Sequence, residues 1–528
     1  MLKVIDLFAG AGGLSLGFLQ SGGYEIVAAV ENNKDARLTY KNNHDKDTIL
    51  YEDVRDVDFF DMKEKFGEID VIIGGPPCQG FSNANRQKNH IISLNNSLVK
   101  DYFKAVRELS PKAFVMENVK MLTSETHRFY DSYKDHEEVS NLGLNMAKSE
   151  ILIGKKSMGE YDLQLLLEEG SMNKIEQELL PNNVFILLNT FIKKRDILKQ
   201  RSFFEKNRLK LTNLITKCIG ESSELNEEIG QSMANLFIMI KEKKFFYSKG
   251  MLDRITYLVR YQQSLRVLKE IEDNKIIKKF STNESDEIIA EVQSYSVIDY
   301  INKILKNDYV QDGRIFNSLD FGVPQTRKRH IIIGVRSDVM KSEFTLDHFF
   351  RNKKIVNTVR DAILDLEEIT TSYDMNSSAP IRTEIKGISE YAEKLRDNER
   401  IYNHINTKST PIAIERFRKL KEGQNFHDLD ESMKTTYYDS KRTQNTIYLR
   451  LKYDSPSGTV VNVRKSMWIH PILDRALSIR EAARLQSFPD SFVFYGSKDS
   501  QYQQVGNAVP PMVAKEIGSC VKKIIGRQ

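Results

Sequence analysis

The chain holds 528 residues with 78 Lys and Arg against 73 Asp and Glu, a net charge of +5, and three cysteines. That length exceeds one ordinary core and predicts two or three domains, while three widely spaced cysteines exclude a disulfide framework and a zinc-type ligand pair. So small a net charge permits a nucleic-acid partner without requiring one, and any basic face must come from local segregation.

The first residues run straight into a strand pattern with no secretion-type leader, and no apolar stretch approaches the ~18 residues that span a bilayer. A soluble, cytoplasmic protein in a reducing compartment, without membrane or metal, is expected. Apolar runs at 3–8, 25–30, 70–73 and 113–116 read as strands separated by amphipathic stretches. Such alternation predicts a parallel sheet with helices on both faces. From about 123 to 289 the pattern turns helical and highly charged, with few strand signals. Strand-like sequence returns at 329–335, a polar and irregular region follows over 341–454, and residues 504–525 read as a turn leading into a closing helix. There is no internal repeat.

Two constellations carry chemistry. In the first, Asp6-Leu7-Phe8-Ala9-Gly10-Ala11-Gly12-Gly13-Leu14 is a strand breaking into a glycine-rich turn and then a helix. Glycines there let backbone approach a ligand closely, and the helix start favours an anionic group. A structural turn with no ligand has the same appearance. Glu31, about 20 residues on at the end of the second strand, can accept hydrogen bonds from both ribose hydroxyls of a nucleoside, and Asp53 can read an adenine amino group. A dinucleotide would use the same layout.

In the second, Gly74-Gly75-Pro76-Pro77-Cys78-Gln79 presents a cysteine on a stiff turn at a strand end, where a thiolate can attack. Glu117-Asn118 and the run Gln325 to Arg329 lie at other strand ends or starts that a doubly wound sheet can bring together. C5 of cytosine is a poor nucleophile until a temporary bond at C6 converts the ring into an enamine. A thiolate forms that bond, a carboxyl near N3 shares a proton, and a guanidinium at O2 stabilises the developing charge. Cys78, Glu117 and Arg329 match these three roles. Taken singly, each is as well read as a packed thiol, a surface carboxylate or a solvated charge run.

Together with Asn317 to Arg329, Arg480 to Pro489 and Gln504-Val505-Gly506-Asn507-Ala508-Val509-Pro510-Pro511, these pieces, in this order, resemble the DNA (cytosine-5) methyltransferase family. The resemblance implies an α/β fold: a doubly wound, Rossmann-like methyltransferase domain with a long helical insertion and a smaller target-recognition domain. It implies S-adenosylmethionine as methyl donor, held by Phe8, Gly10, Gly12, Leu14, Glu31, Asp53, Pro76 and Asn507. Cys78 would be the nucleophile, Glu117 its partner, Arg327 a brace and Arg329 a contact to the base.

Such chemistry on duplex DNA needs the cytosine extruded from the stack. A loop over 81–98, with Ser82 and Arg86, is expected to close over it; Ser93-Leu94-Asn95-Asn96-Ser97 there departs from the family pattern. Arg464, Lys465 and Ser466 are candidate DNA contacts, and a solvated loop is the competing reading. The expected organisation is 1–124 and 291–340 for the catalytic domain, 125–290 for the insertion, 341–500 for target recognition and 501–528 for a segment returning to the catalytic domain. Double-stranded DNA is the implied partner, in a bacterial restriction-modification system with a cognate endonuclease acting on the same site. Methylation of RNA cytosine, and a non-catalytic DNA-binding module on the same fold, are the alternatives.

Overall fold

The computed structural model describes residues 1–77, 97–118, 128–159, 161–168, 172–194, 197–220, 233–234, 238, 249–306, 308–340, 345–346, 356–380, 387–434 and 443–526. The chain forms two compact units. One joins Met1–Cys78, Leu98–Leu122 and Ile304–Gln528; the other joins Gln79–Ser97 with Thr123–Lys303. Among the described residues no helix is long and apolar enough to cross a membrane.

The first unit is built on strands β1 (Leu2–Leu7), β2 (Tyr24–Val30), β3 (Ile49–Tyr51), β4 (Val71–Gly74) and β5 (Ala113–Asn118), which pair in parallel with helices α1 (Gly13–Ser21), α2 (Lys34–Asn43), α3 (Phe59–Phe66) and α4 (Ser97–Leu109) between them. β1, β4 and β5 are buried almost throughout, as strands covered on both faces must be. The register Asp6 to Ile73 and Ile73 to Val115 brings the carboxyl ends of β1, β4 and β5 to one edge, where ligands bind in open α/β sheets.

The chain's carboxyl end completes this unit. In helix Pro511–Ile524, Ala514 and the Pro511 carbonyl lie so close to Gly17 of α1 that any larger residue there would collide with them. The Tyr24 hydroxyl donates to the Gly518 carbonyl at 2.7 Å, and the Lys522 ammonium donates to the carbonyls of Ser21 and Gly22 at 2.6 and 2.7 Å.

In the second unit, β6 (Arg128–Tyr130), helix α5 (His136–Asn141), β7 (Ala147–Lys155), the short β8 (Ser157–Met158) and β9 (Tyr161–Asp162), and helices α6 (Leu163–Glu168), α7 (Met172–Glu178), α8 (Asn182–Ile192), α9 (Ile197–Gly220) and α10 (Lys249–Asp273) precede β10 (Lys278–Thr282) and β11 (Glu287–Ser296). The long helices match the sequence expectation. The antiparallel sheet does not: β11 pairs with β6, β7 and β10. β7 places Ile151 and Ile153 in a core with Leu258, Val259 and Leu265 of α10, and its alternate residues carry charge outward. That alternation of charge and apolar side chains marks a half-solvated strand, and it reads as a charged helix when only composition is weighed.

Strands β12 (Tyr309–Asn317) and β13 (Lys328–Arg336) return to the first sheet, β13 antiparallel to both β12 and β5. The seven strands run β12-β13-β5-β4-β1-β2-β3. Because β13 is antiparallel, its first residues lie at the edge where β5 ends: His330 faces Asn118 and Ile331 faces Glu117.

Candidate active site

Glu31 organises the glycine loop. Its two carboxylate oxygens accept the Gly10 and Asn33 backbone amides, each at 2.8 Å, joining the loop after β1 to the end of β2. Burial raises the Glu31 pKa, while those two amides and Arg37 oppose the rise. Phe8, at φ 59, is in left-handed backbone that costs a non-glycine residue of order 1–3 kcal/mol, strain that tends to collect where ligands are held. Gly12, at φ 97, has no room for a side chain because a Cβ would strike the His44 ring. At Gly10 a Cβ would meet nothing within 4 Å, so the loop has open space on that side.

Beneath the loop Asp6 is fully buried. Its Oδ1 has no partner among the described residues, and its Oδ2 accepts from the Tyr40 hydroxyl at a long 3.4 Å. Burial pushes its pKa up to about 7, opposed by hydrogen bonding from Ser15 and Tyr40 and assisted by the charge of Glu31. Leu14 is packed into the core beside Phe18. Asp53 sits at the start of a short turn, where its carboxylate accepts from the Arg55 backbone amide and guanidinium, and the Arg55 hydrogen bond holds its pKa low. Asn507 is exposed at the end of helix Lys498–Asn507 and accepts from the Gln503 amide at 2.8 Å.

On the neighbouring strands, the Glu117 carboxylate and the Arg329 guanidinium pair at 2.8 Å, both largely shielded yet not sealed. A Cβ at Gly75 would lie 3.1 Å from the Glu117 carboxylate, so glycine there lets the turn after β4 approach it. The Asn118 amide donates to the Pro76 carbonyl at 3.3 Å, tying the chain two residues before Cys78 to the end of β5. Cys78, Ser82 and Arg86 lie outside the described residues, as does the expected closing loop up to residue 96. Of the other cysteines, Cys520 is buried in the core, where burial pushes its thiol up to about 12; it is no nucleophile.

Arg327 differs from Arg329 although only two residues separate them. It is buried, with one guanidinium nitrogen donating to the carbonyls of Val460 and Gly506, each at 2.9 Å. Burial, reinforced by the charge of Arg329, pushes its pKa down to about 9, so it keeps its charge at neutral pH.

Sequence reasoning gave no role to Gln325, although it is the centre of this bracing. Its amide donates to Gln486 Oε1 at 2.7 Å and accepts the Val460 amide at 2.7 Å, while Gln486 donates to the Val505 carbonyl at 2.7 Å. Thr459 was missed too; its hydroxyl donates to the Thr326 carbonyl at 2.9 Å. The signal available was only the Ser455-Pro456-Ser457-Gly458 turn chemistry, which marks a loop and not its destination.

Arg464 and Lys465 pair with Asp499 at 2.8 and 3.5 Å and remain substantially exposed. Ser466 turns inward: it is buried, and its hydroxyl faces the carbonyls of Asn462 and Val463.

The family model for C-5 cytosine-specific DNA methylase matches residues 2–144 and 285–523, which is most of the chain. The chain belongs to this family. It is an enzyme, a DNA (cytosine-5)-methyltransferase, with the α/β architecture expected from its motifs. The unmatched 145–284 fall within the second unit. The chain is similar to the type II methyltransferase M.DdeI of Desulfomicrobium norvegicum, at 25% identity with 98% of this chain and 87% of the relative covered. It is similar also to the type II methyltransferase M.AgeI of Thalassovita gelatinovora, at 25% identity with 99% and 100% covered. Among solved structures it resembles a DNA modification methyltransferase encoded within an E. coli prophage, with TM-score 0.54, 22% identity and 100% of both chains covered; this likeness concerns the fold.

Proposed function

We propose that this enzyme methylates C5 of cytosine within a short specific sequence of duplex DNA, through a transient bond between Cys78 and C6 of an extruded base. The observation that carries the reading is the Glu117–Arg329 pair at the end of β5, beside the turn that leads through Pro76 to Cys78. The Cys78 sulfur adds to C6, and the ring's electron pair moves toward C5 and N3. Glu117 shares a proton at N3, and Arg329 opposes the negative charge at O2. After C5 has gained a methyl group, its proton passes to solvent. The electron pair left behind re-forms the C5–C6 double bond as the C6–S bond breaks and releases the Cys78 thiolate, and N3 returns its proton to Glu117.

S-adenosylmethionine, when bound, supplies the electrophilic methyl group. The glycine loop fits such a nucleoside: open backbone at Gly10, a carboxylate at Glu31 held by two amides, and strain at Phe8. Gly12, Leu14, Asp53, Pro76 and Asn507 complete the proposed donor pocket. Arg327 acts by positioning, since its hydrogen bonds end on the segments that carry Val460 and Gly506.

Ser82, Arg86, Arg464 and Lys465 are proposed DNA contacts, and residues 341–500 the target-recognition region. Ser466 supports the turn from within. The type II relatives support a place in a restriction-modification system, with an endonuclease of the same specificity as partner. Bisulfite sequencing of DNA from cells expressing the protein tests the reading. Protected cytosines at one recurring short sequence are expected, and the absence of any protected cytosine, with methyl groups found only in RNA, contradicts it.

A further inference from the structure

Charge in the second unit is concentrated on one hairpin. Residues 193–217 contain nine Lys and Arg against two Asp and Glu, so this segment alone exceeds the +5 of the whole chain. Helix α8, which precedes it, has no charged residue. Within the same unit α10, of nearly equal length, carries basic and acidic side chains in almost equal number.

The helix α9 explains how that charge is displayed. Phe204, Leu211 and Ile215 turn inward to join Phe185, Leu188 and Phe191 of α8 in the core. The opposite stripe is exposed at Lys206, Leu209, Lys210, Asn213 and Lys217, positions that recur at helical spacing over about 16 Å. Lys193 is exposed before α9 begins, and Arg208 is half-buried on its flank. Glu205 is the described acidic residue on this hairpin.

Elsewhere in the unit the half-buried Lys269 and Lys156 pair with Glu176 at 2.7 Å and Asp286 at 3.3 Å. The exposed Lys134, Lys148 and Lys275 make no ion pair among the described residues, so what sets the hairpin apart is its density of like charge. Among the described residues, Lys193, Lys206, Arg208 and Lys210 make no ion pair. A solvated helix usually interleaves its charges; here like charges stand at i, i+2 and i+4 with one acidic neighbour, an arrangement that costs stability until a polyanion compensates it.

We propose that the α8–α9 hairpin is a second, sequence-independent DNA-binding surface, on which the phosphates of duplex DNA outside the methylation site are neutralised by Lys193, Lys206, Arg208 and Lys210. The inference rests on duplex DNA being the substrate. Phosphate contacts of this kind add affinity and salt dependence without reading bases.

The test uses the full chain and two duplexes centred on the target that methylation mapping identifies, one of 14 and one of 40 base pairs. The wild type should bind the longer duplex at least about tenfold more tightly, with a steeper salt dependence. K193Q/K206Q/K210Q should lose most of that gain and reduce the slope on the long duplex by up to about 3, at about 0.9 per phosphate released. Its methyl transfer to the short duplex should equal that of the wild type, which also shows that the variant is folded. Unchanged affinity and slope on the long duplex would overturn the proposal, as would an equal loss on both lengths or a loss confined to structured RNA. Failure of the wild type to methylate either duplex would instead count against the functional reading itself.

Discussion

The cations buried in the first unit and those on the α8–α9 hairpin carry the same charge into opposite circumstances. Arg484 is fully buried, with its fork on the Asp490 carboxylate at 2.6 and 3.0 Å, and Arg327 is buried against backbone carbonyls. Lys206 and Lys210 face water with no ion-pair partner among the described residues. The difference teaches that what stands opposite a cation decides its work. A buried guanidinium held by fixed acceptors sets where segments meet, whereas an unmatched surface ammonium is left for something outside the chain. Arg329 falls between, paired with Glu117 but open enough to meet a base.

The contrast breaks most visibly at Arg484. Arg484→Ala removes the hydrogen-bonded counter-charge of Asp490 and Asp365, leaving them only the more distant Arg480 and Arg396 at 3.8 and 3.9 Å, and should cost about 3–5 kcal/mol, measured by urea unfolding. Neutralising Lys193, Lys206 and Lys210 together should not lower the unfolding midpoint and should raise it slightly, adding about 0.2–0.5 kcal/mol of stability, because it relieves the repulsion between Lys206 and Lys210. Equal destabilisation by the two changes would erase the distinction. Next comes the intermediate pair: Glu117→Gln keeps the size of the side chain and should lower kcat by about 10²–10⁴-fold with little change in donor affinity. A variant with wild-type kcat would remove Glu117 from the chemistry.

The smallest effect sharpens the comparison from the anionic side. Asp6 has a buried carboxyl whose pKa burial raises to about 7, above the ~3.9 of an unfolded aspartate. Between about pH 4 and 7 the folded state therefore holds a proton that the unfolded state has released. The stability associated with that proton is fully present below pH 4 and is lost as pH rises through 7. Asp6→Asn cannot ionise, so unfolding midpoints of variant minus wild type should increase from pH 5 to pH 7.5. A difference independent of pH would show that Asp6 is ionised throughout.

Much of the catalytic half is legible because its chemistry stands at strand ends. The apolar runs mark β1, β2, β4 and β5, and a parallel register then forces Phe8, Gly75 and Glu117 to one edge without further information. Arg329 is legible for the same reason, at the start of β13. Gln325 and Gln486 are not, since a buried amide pair that joins four segments leaves no local period or spacing. The sheet of the second unit stayed hidden because β7 mixes Lys148 and Glu150 with Ile151 and Ile153, so composition masked its alternation. The basic hairpin was visible only as charged helix; which of its lysines face water needed the packing of Phe204, Leu211 and Ile215.

The account depends above all on the Cys78 sulfur bonding to the cytosine ring. The most direct measurement incubates the protein with S-adenosylmethionine and a target duplex carrying 5-fluorocytosine, whose C5 substituent cannot leave as a proton, and maps any denaturation-resistant adduct by peptide mass. A one-to-one adduct on the Cys78 peptide, lost in Cys78→Ser, is the predicted result. No adduct from protein that methylates the unmodified duplex, or an adduct on Cys218 or Cys520, would contradict it.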